Sequence, residues 1–228
     1  MSNVAQASAN STLCVDIILK KYIWEKVMKN NKKMIGHYSF KEYVAAAKDF
    51  HGYPAPGILV GGIMVDYALQ HMPEGVLFEA LCETSSCLPD AIQVLTPCTT
   101  GNGRVTVNNL GLFALSLYDK FTGEGVRVYL DPKKLENYPE IKSWLFKLKT
   151  KSEQNKDLLL EQIEEAGADI CGIQSITIDS KYLGKHSKGA IIVCTNCGEA
   201  YPQKDGSVCL SCQGKSRYIS SENFNHRL

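Results

Sequence analysis

Four cysteines near one end of the chain set the strongest limit on what it can fold into. The segment CTNCGEAYPQKDGSVCLSCQG places Cys194, Cys197, Cys209 and Cys212 as two C-x2-C pairs with eleven residues between them. Each pair forms a knuckle in which backbone N–H groups point at the sulfurs, and Gly198 and Gly214 sit where the tight turn needs a residue without Cβ. Four thiolates complete a tetrahedral Zn2+ shell with no open position, so the metal is expected to be structural, one ion per chain. A segment of about 25 residues cannot bury enough apolar surface to fold alone. A structural zinc supplies about 10–16 kcal/mol in comparable peptides. Gln203-Lys204-Asp205-Gly206 reads as the turn between two short strands of a zinc ribbon.

Three rivals compete for the same spacing. Two disulfides would suit an exported protein, but no basic stretch followed by an apolar core opens the sequence, so a reducing cytoplasm is the expected setting. A redox CxxC would open a helix in a βαβ unit and would not come as two matched pairs. Rubredoxin-like iron remains as the alternative metal. The other limits are broad. The chain has 228 residues, 44% hydrophobic and 21% charged, with a formal net charge of +1. One medium domain plus a small appendage fits that size, and so near-neutral a charge gives no support to nucleic-acid or membrane binding. The longest apolar run, around Gly57 to Met64, falls far short of the roughly 20 residues that a bilayer needs.

Periodicity and turn residues divide the rest of the chain. Residues 1–12 are small and polar and are expected to be disordered. Helical spacing marks Val15 to Val27, Phe40 to Phe50 and Ile58 to His71, with HGYPAPG (His51 to Gly57) breaking the chain between the last two. Val76 to Glu83 has strand character, and a short helix from Cys87 to Leu95 follows, with Ser85 and Ser86 as candidate caps and Pro89 in its first turn. Strands are expected over Arg104 to Asn108, Leu112 to Asp119 and Gly125 to Leu130, the last two joined by Lys120-Phe121-Thr122-Gly123. Asp131-Pro132 opens a helix to about Leu148. Lys151 to Glu165 is helical, Asp169 to Ile178 is a strand, and Ala190 to Val193 leads into the first cysteine pair. The fold class is α+β, with one domain over 13–185 and the zinc ribbon over 186–228.

HGYPAPG, the stretch CLPDAIQVLTPCTTGNG (Cys87 to Gly103) and FALSLYDKFTGEGVRV (Phe113 to Val128) together resemble the FmdE-like family, named for a formylmethanofuran dehydrogenase. The resemblance covers roughly Phe50 to Leu130, with the ribbon as an addition that some members carry. It implies an α+β homodimer with strands contributed across the dimer, found beside a molybdenum or tungsten formylmethanofuran dehydrogenase. It does not supply a reaction. The family's usual first motif is HGH-x-CPG; here the second His is Tyr53 and the Cys is Ala55, so two metal-binding groups are missing. His51, Cys87 and Cys98 still match the pattern.

Those three residues are the candidates for a catalytic site or for a second transition-metal site. Cys87 lies near a helix start, where the dipole and free N–H groups are expected to favour a thiolate. Cys87 and Cys98 would be about 15 Å apart along a straight helix, so they share an ion only across a dimer or where the helix is short and the chain folds back. Plainer readings stand beside this. His51 can serve as a helix cap, Cys82, Cys14 and Cys171 as small core residues, and Glu83 and Asp90 are acid–base candidates, although an Asp at Asp90 more often stabilises a helix start. Gly101-Asn102-Gly103 precedes a strand and is a turn, not a phosphate loop. The leading functional reading is a zinc protein with a metal or small-ligand pocket near His51 in C1 or molybdenum/tungsten enzyme metabolism. The alternative is an accessory module whose ribbon docks on a protein. Nucleic-acid binding by the ribbon is weaker still, since five Lys/Arg against three acids from His186 to Leu228 give too small an excess for phosphate binding.

Overall fold

A computed structural model describes residues 34–184 and 189–218. The stretch 1–12, the helix expected over Val15 to Val27, and Cys14 lie outside them. The chain divides into two compact units, Met1–Leu183 and Gly184–Leu228.

The described part of the larger unit begins with a hairpin of two-residue strands, β1 (Met34–Ile35) against β2 (Tyr38–Ser39). Helix α1 (Phe40–His51) starts at Ser39, whose hydroxyl accepts the Glu42 N–H while the Glu42 carboxylate accepts the Ser39 N–H. This reciprocal cap satisfies two donors that the first turn cannot pair internally. The helix stops at Gly52, where φ is 90°, a conformation that costs glycine nothing. Two prolines and this glycine thus explain why HGYPAPG separates α1 from α2 (Pro56–Leu69).

Helix α2 is apolar all round and ten of its residues are buried, so it forms the centre of the unit. Its glycines let neighbours approach. A methyl group on Gly61 would meet the Ala91 Cβ at 2.9 Å, and one on Gly62 would fall 2.2 Å from the Tyr43 ring. Tyr43 is fully buried, and its hydroxyl donates to the Ile58 carbonyl at 2.9 Å.

Against these helices lies a five-stranded mixed sheet in the order β4-β3-β5-β6-β7, built from β3 (Phe78–Cys82), β4 (Val105–Val107), β5 (Ala114–Asp119), β6 (Glu124–Leu130) and β7 (Cys171–Thr177). Strands β3, β5, β6 and β7 pair antiparallel, with Leu81 opposite Ser116, Leu117 opposite Val126 and Val128 opposite Ile173. β4 pairs parallel with β3, Leu81 opposite Thr106. A parallel pair needs a crossover, and here helix α3 (Leu88–Leu95) supplies it. The expected single helix from Asp131 to Leu148 is instead a 3-10 turn, Lys134–Asn137, followed by α4 (Pro139–Leu145). Pro139 is the cause: it has no N–H to donate and its ring clashes with the preceding turn, so it can only open a new helix. Likewise α5 spans Lys156–Ala166, later than its charge pattern suggests, because the Asn155 side chain caps it by accepting the Leu158 N–H.

Among the described residues the smaller unit holds one hairpin, β8 (Ile191–Val193) against β9 (Ala200–Pro202), and a short helical turn over Ser211–Lys215. The turn of the hairpin is the first cysteine knuckle itself. The strands therefore flank Cys194 and Cys197, whereas the sequence places them either side of Gln203 to Gly206. The Gly206 N–H does return to the Gln203 carbonyl, closing a turn there.

Candidate functional site

The quartet of cysteines converges. Their sulfurs all lie within 4.8 Å of one another, and among the described residues this is the only group of three or more His, Cys, Asp or Glu side chains so arranged. Cys194 Sγ is 3.8 Å from Cys212 Sγ, and Cys197 Sγ is 3.6 Å from Cys209 Sγ. A Zn–S bond of about 2.3 Å implies a tetrahedral edge of about 3.8 Å, whereas a disulfide would need about 2.05 Å. The spacing is that of ligands. The Cys209 N–H points at Cys194 Sγ and the Cys212 N–H at Cys209 Sγ, as a knuckle requires. The first of these N–H groups pulls the Cys194 thiol down to about 6. Desolvation and the neighbouring thiols push Cys212 up to about 12. Four sulfurs this close cannot all carry charge unaided; a divalent cation removes the conflict.

In the larger unit, three elements bring a second cluster together. His51 is the last residue of α1. Its Nδ1 is 2.6 Å from the Asp90 carboxylate in the first turn of α3, and its Nε2 faces Cys87 Sγ at 3.7 Å. Asp90 as acceptor on Nδ1 fixes the tautomer that leaves the Nε2 lone pair toward the thiol. Cys87 immediately precedes α3 and has φ 54° and ψ −43°. The Leu88 N–H donates to the Ser86 carbonyl across it, so Cys87 is the centre of a γ-turn. Such a turn is rare and strained for a residue with a Cβ. The space beside the thiol exists because Gly57 has no side chain: a Cβ there would be 2.9 Å from Cys87 Sγ and 3.5 Å from the Trp144 ring. The Tyr53 ring lies 5.3 Å from His51 and is exposed.

The electrostatics differ from the helix-start expectation. Burial, and after it the Asp90 carboxylate, push the Cys87 thiol up from its ordinary value, with Lys151 opposing them. A helix start lowers a thiol only when desolvation does not outweigh it. Cys87 therefore rests as a thiol beside a base rather than as a standing thiolate.

The other candidates go elsewhere. Cys98 is buried beyond the end of α3, where its thiol reaches the Phe78 carbonyl at 3.5 Å and Arg104 lies nearby. The structure pairs Cys87 with His51 and sets Cys98 among β3 neighbours instead. Glu83, an acid–base candidate by sequence, is held in a two-point ion pair with Arg127 at 2.6 and 2.7 Å, which is a structural role. Asp90, which the sequence leaves between cap and catalyst, is the partner of His51. Trp144 and Lys151 carry no local signal, since only the tertiary fold brings them to Cys87. Two surface clefts, about 250 Å³ beside Asp66 and Glu164 and about 350 Å³ beside His71 and Ser175, include neither His51 nor Cys87. The site is therefore placed by its chemistry. No helix among the described residues is long and apolar enough to cross a membrane.

Fold and quartet together define a protein of two units, an α+β domain and a four-cysteine zinc finger. Residues 50–177 match the family described as FmdE, molybdenum formylmethanofuran dehydrogenase operon, and residues 185–219 match the FmdE treble clef zinc finger. The chain belongs to the FmdE family. A solved structure, that of a tungsten formylmethanofuran dehydrogenase FmdE-like protein from Syntrophus aciditrophicus, is 53% identical and superposes with a TM-score of 0.77 over 83% of this chain and 100% of that one. A probable S-adenosyl-L-methionine-binding protein from Archaeoglobus fulgidus is 29% identical over 192 residues, 74% of this chain. The chain spans about half, 51%, of that relative's length. The treble-clef description suits a knuckle inside a hairpin followed by a second cysteine pair on a helical turn.

Proposed function

We propose that the α+β domain binds a small organic ligand at the Cys87–His51 pair, in the service of one-carbon or molybdenum/tungsten enzyme metabolism, while the zinc finger is a structural unit. The observation that carries this reading is the imidazole of His51 clamped between the Asp90 carboxylate and the Cys87 thiol. Three side chains from two helices and a strained turn are held in one hydrogen-bonding line, which is the arrangement of a site that handles protons. Among the described residues a metal would find only two converging donors there, Sγ and Nε2, with Tyr53 and Ala55 standing where the family motif has His and Cys. The name of the Archaeoglobus relative, which refers to a small-molecule ligand, supports the same reading. The family's description supports an association with formylmethanofuran dehydrogenase, and the resemblance supports a homodimer.

Metal analysis tests the choice. Protein purified without chelator should carry one zinc per chain, unchanged by His51→Ala. A second metal per chain that disappears in His51→Ala would replace the small-ligand reading with a metal site.

A further inference from the structure

We propose that Cys87 is a nucleophile that takes up an acyl group as a thioester, with His51 as its general base and Asp90 as the positioning residue. The inference rests on the reading above, in which the Cys87–His51 pair meets a small ligand rather than a metal. Four observations support it. The thiol and the free nitrogen of His51 face each other at 3.7 Å, a loose contact of the kind that tightens when substrate is bound. Asp90 holds the opposite nitrogen at 2.6 Å, which orients the ring and stabilises an imidazolium. The γ-turn at Cys87 sets the residue on a sharp bend between β3 and α3, outside the helix it precedes. Cys87 is half-buried rather than sealed in the core, unlike Cys82, Cys98 and Cys171.

The chemistry follows from that placement. As Sγ attacks the carbonyl carbon of an activated acyl compound, its proton passes to His51 Nε2. The Sγ–C bond forms and the oxygen gains charge. Lys151, whose charge acts on Cys87, and the positive end of the α3 dipole both favour that charge. The bond to the leaving group then breaks, and His51 returns the proton to it. Water, deprotonated by the same nitrogen, can later release the acid and restore the thiol. No oxidant or reductant is needed. The substrate class is thus a small activated ester or thioester, and the exposed Tyr53 ring beside His51 offers an aromatic face for its apolar part.

His51 from α1 contacts Cys87, and the charges that act on it are those of Asp90 from α3 and Lys151 from the segment before α5. The experiment uses the full zinc-loaded chain and p-nitrophenyl acetate, followed as a burst of p-nitrophenol and as acetyl mapped by mass spectrometry to the peptide that contains Cys87. The expected result is one acetyl per chain on Cys87, absent in Cys87→Ser. At neutral pH, His51→Gln should slow acetylation roughly a hundredfold, and its rate should then rise with pH only as the thiol itself ionises. Asp90→Asn should shift the pH–rate profile while leaving the circular dichroism spectrum unchanged. No acetyl on Cys87 in the parent chain overturns the proposal, as does an identical pH–rate profile in parent and His51→Gln. The zinc count on the same samples separates the two levels of inference. One zinc with no adduct removes only the thioester step, whereas a second metal removes the small-ligand reading beneath it.

Discussion

Stripping the metal from the cysteine quartet should unfold the smaller unit and leave the larger one intact. Among the described residues, the apolar cluster around the quartet contains, apart from cysteines, only Tyr201, Ile192 and Val208, and of these only Tyr201 is buried. At about 3 kcal/mol for the buried Tyr201 and about half that for each of the two partly buried side chains, these three contribute no more than about 6 kcal/mol. A bound structural zinc contributes about 10–16 kcal/mol. The metal outweighs the core, and its loss cannot be absorbed. The hairpin depends on it directly, because the Cys194 N–H to Glu199 carbonyl bond at 2.8 Å closes across the knuckle. The assay is amide hydrogen exchange, read by mass spectrometry before and after equilibration with a zinc chelator. Peptides over β8 and β9 should exchange at unfolded rates once the metal is gone, while α2 keeps its protection. Cys209→Ser should do the same without chelator. If β8 and β9 stay protected in chain shown to be metal-free, the comparison of core and metal is wrong.

Gly62→Ala should destabilise the larger unit by about 3 kcal/mol, since its Cβ would fall 2.2 Å from the Tyr43 ring and force that buried side chain out of place. A thermal melt should register a fall of roughly 6–12 °C, and a melt unchanged from the parent would show that α1 and α2 are not packed as described. Glu83→Gln leaves Arg127 without its counter-charge in a setting where Glu83 is 8% and Arg127 21% exposed. The expected loss is about 3 kcal/mol, checked by urea unfolding. Alkaline pH should also weaken the fold. Burial pushes the Cys171 thiol up to about 12 and the Cys82 thiol up to about 11. The unfolded chain releases these protons from near 9 upward and the folded chain does not, so the stability present below that value is lost as pH rises through the folded values. Urea midpoints measured at about pH 8 and about pH 10.5 should differ, and Cys171→Ala should narrow the gap.

The quartet is legible in sequence because its evidence is local: two matched C-x2-C pairs and the glycines that follow them. The strands β5, β6 and β7 and the helices α1 and α2 are legible for the same reason, from periodicity bounded by Gly and Pro. What stays hidden is tertiary. The break within 131–148 is not of that kind: Pro139 marks it locally, and reading the apolar pattern through that residue predicts one helix where there are a 3-10 turn and α4. The parallel pairing of β4 depends on where α3 delivers the chain. The His51–Asp90 bond spans 39 residues, and no spacing rule links them. Cys87 can be named a candidate from its place near a helix start, but the direction of its shift depends on burial and on Asp90, which only the packed structure supplies.

The crossover from β3 through α3 to β4 has one more consequence. Cys87 and Asp90 ride on a stretch of backbone fixed by the sheet, so they inherit their positions from the fold itself. Tyr53 and Ala55 belong to the link between α1 and α2, which the sheet does not hold. The thiol and its acidic partner are thus anchored, whereas the exposed Tyr53 ring lies outside the core and can be exchanged without moving them.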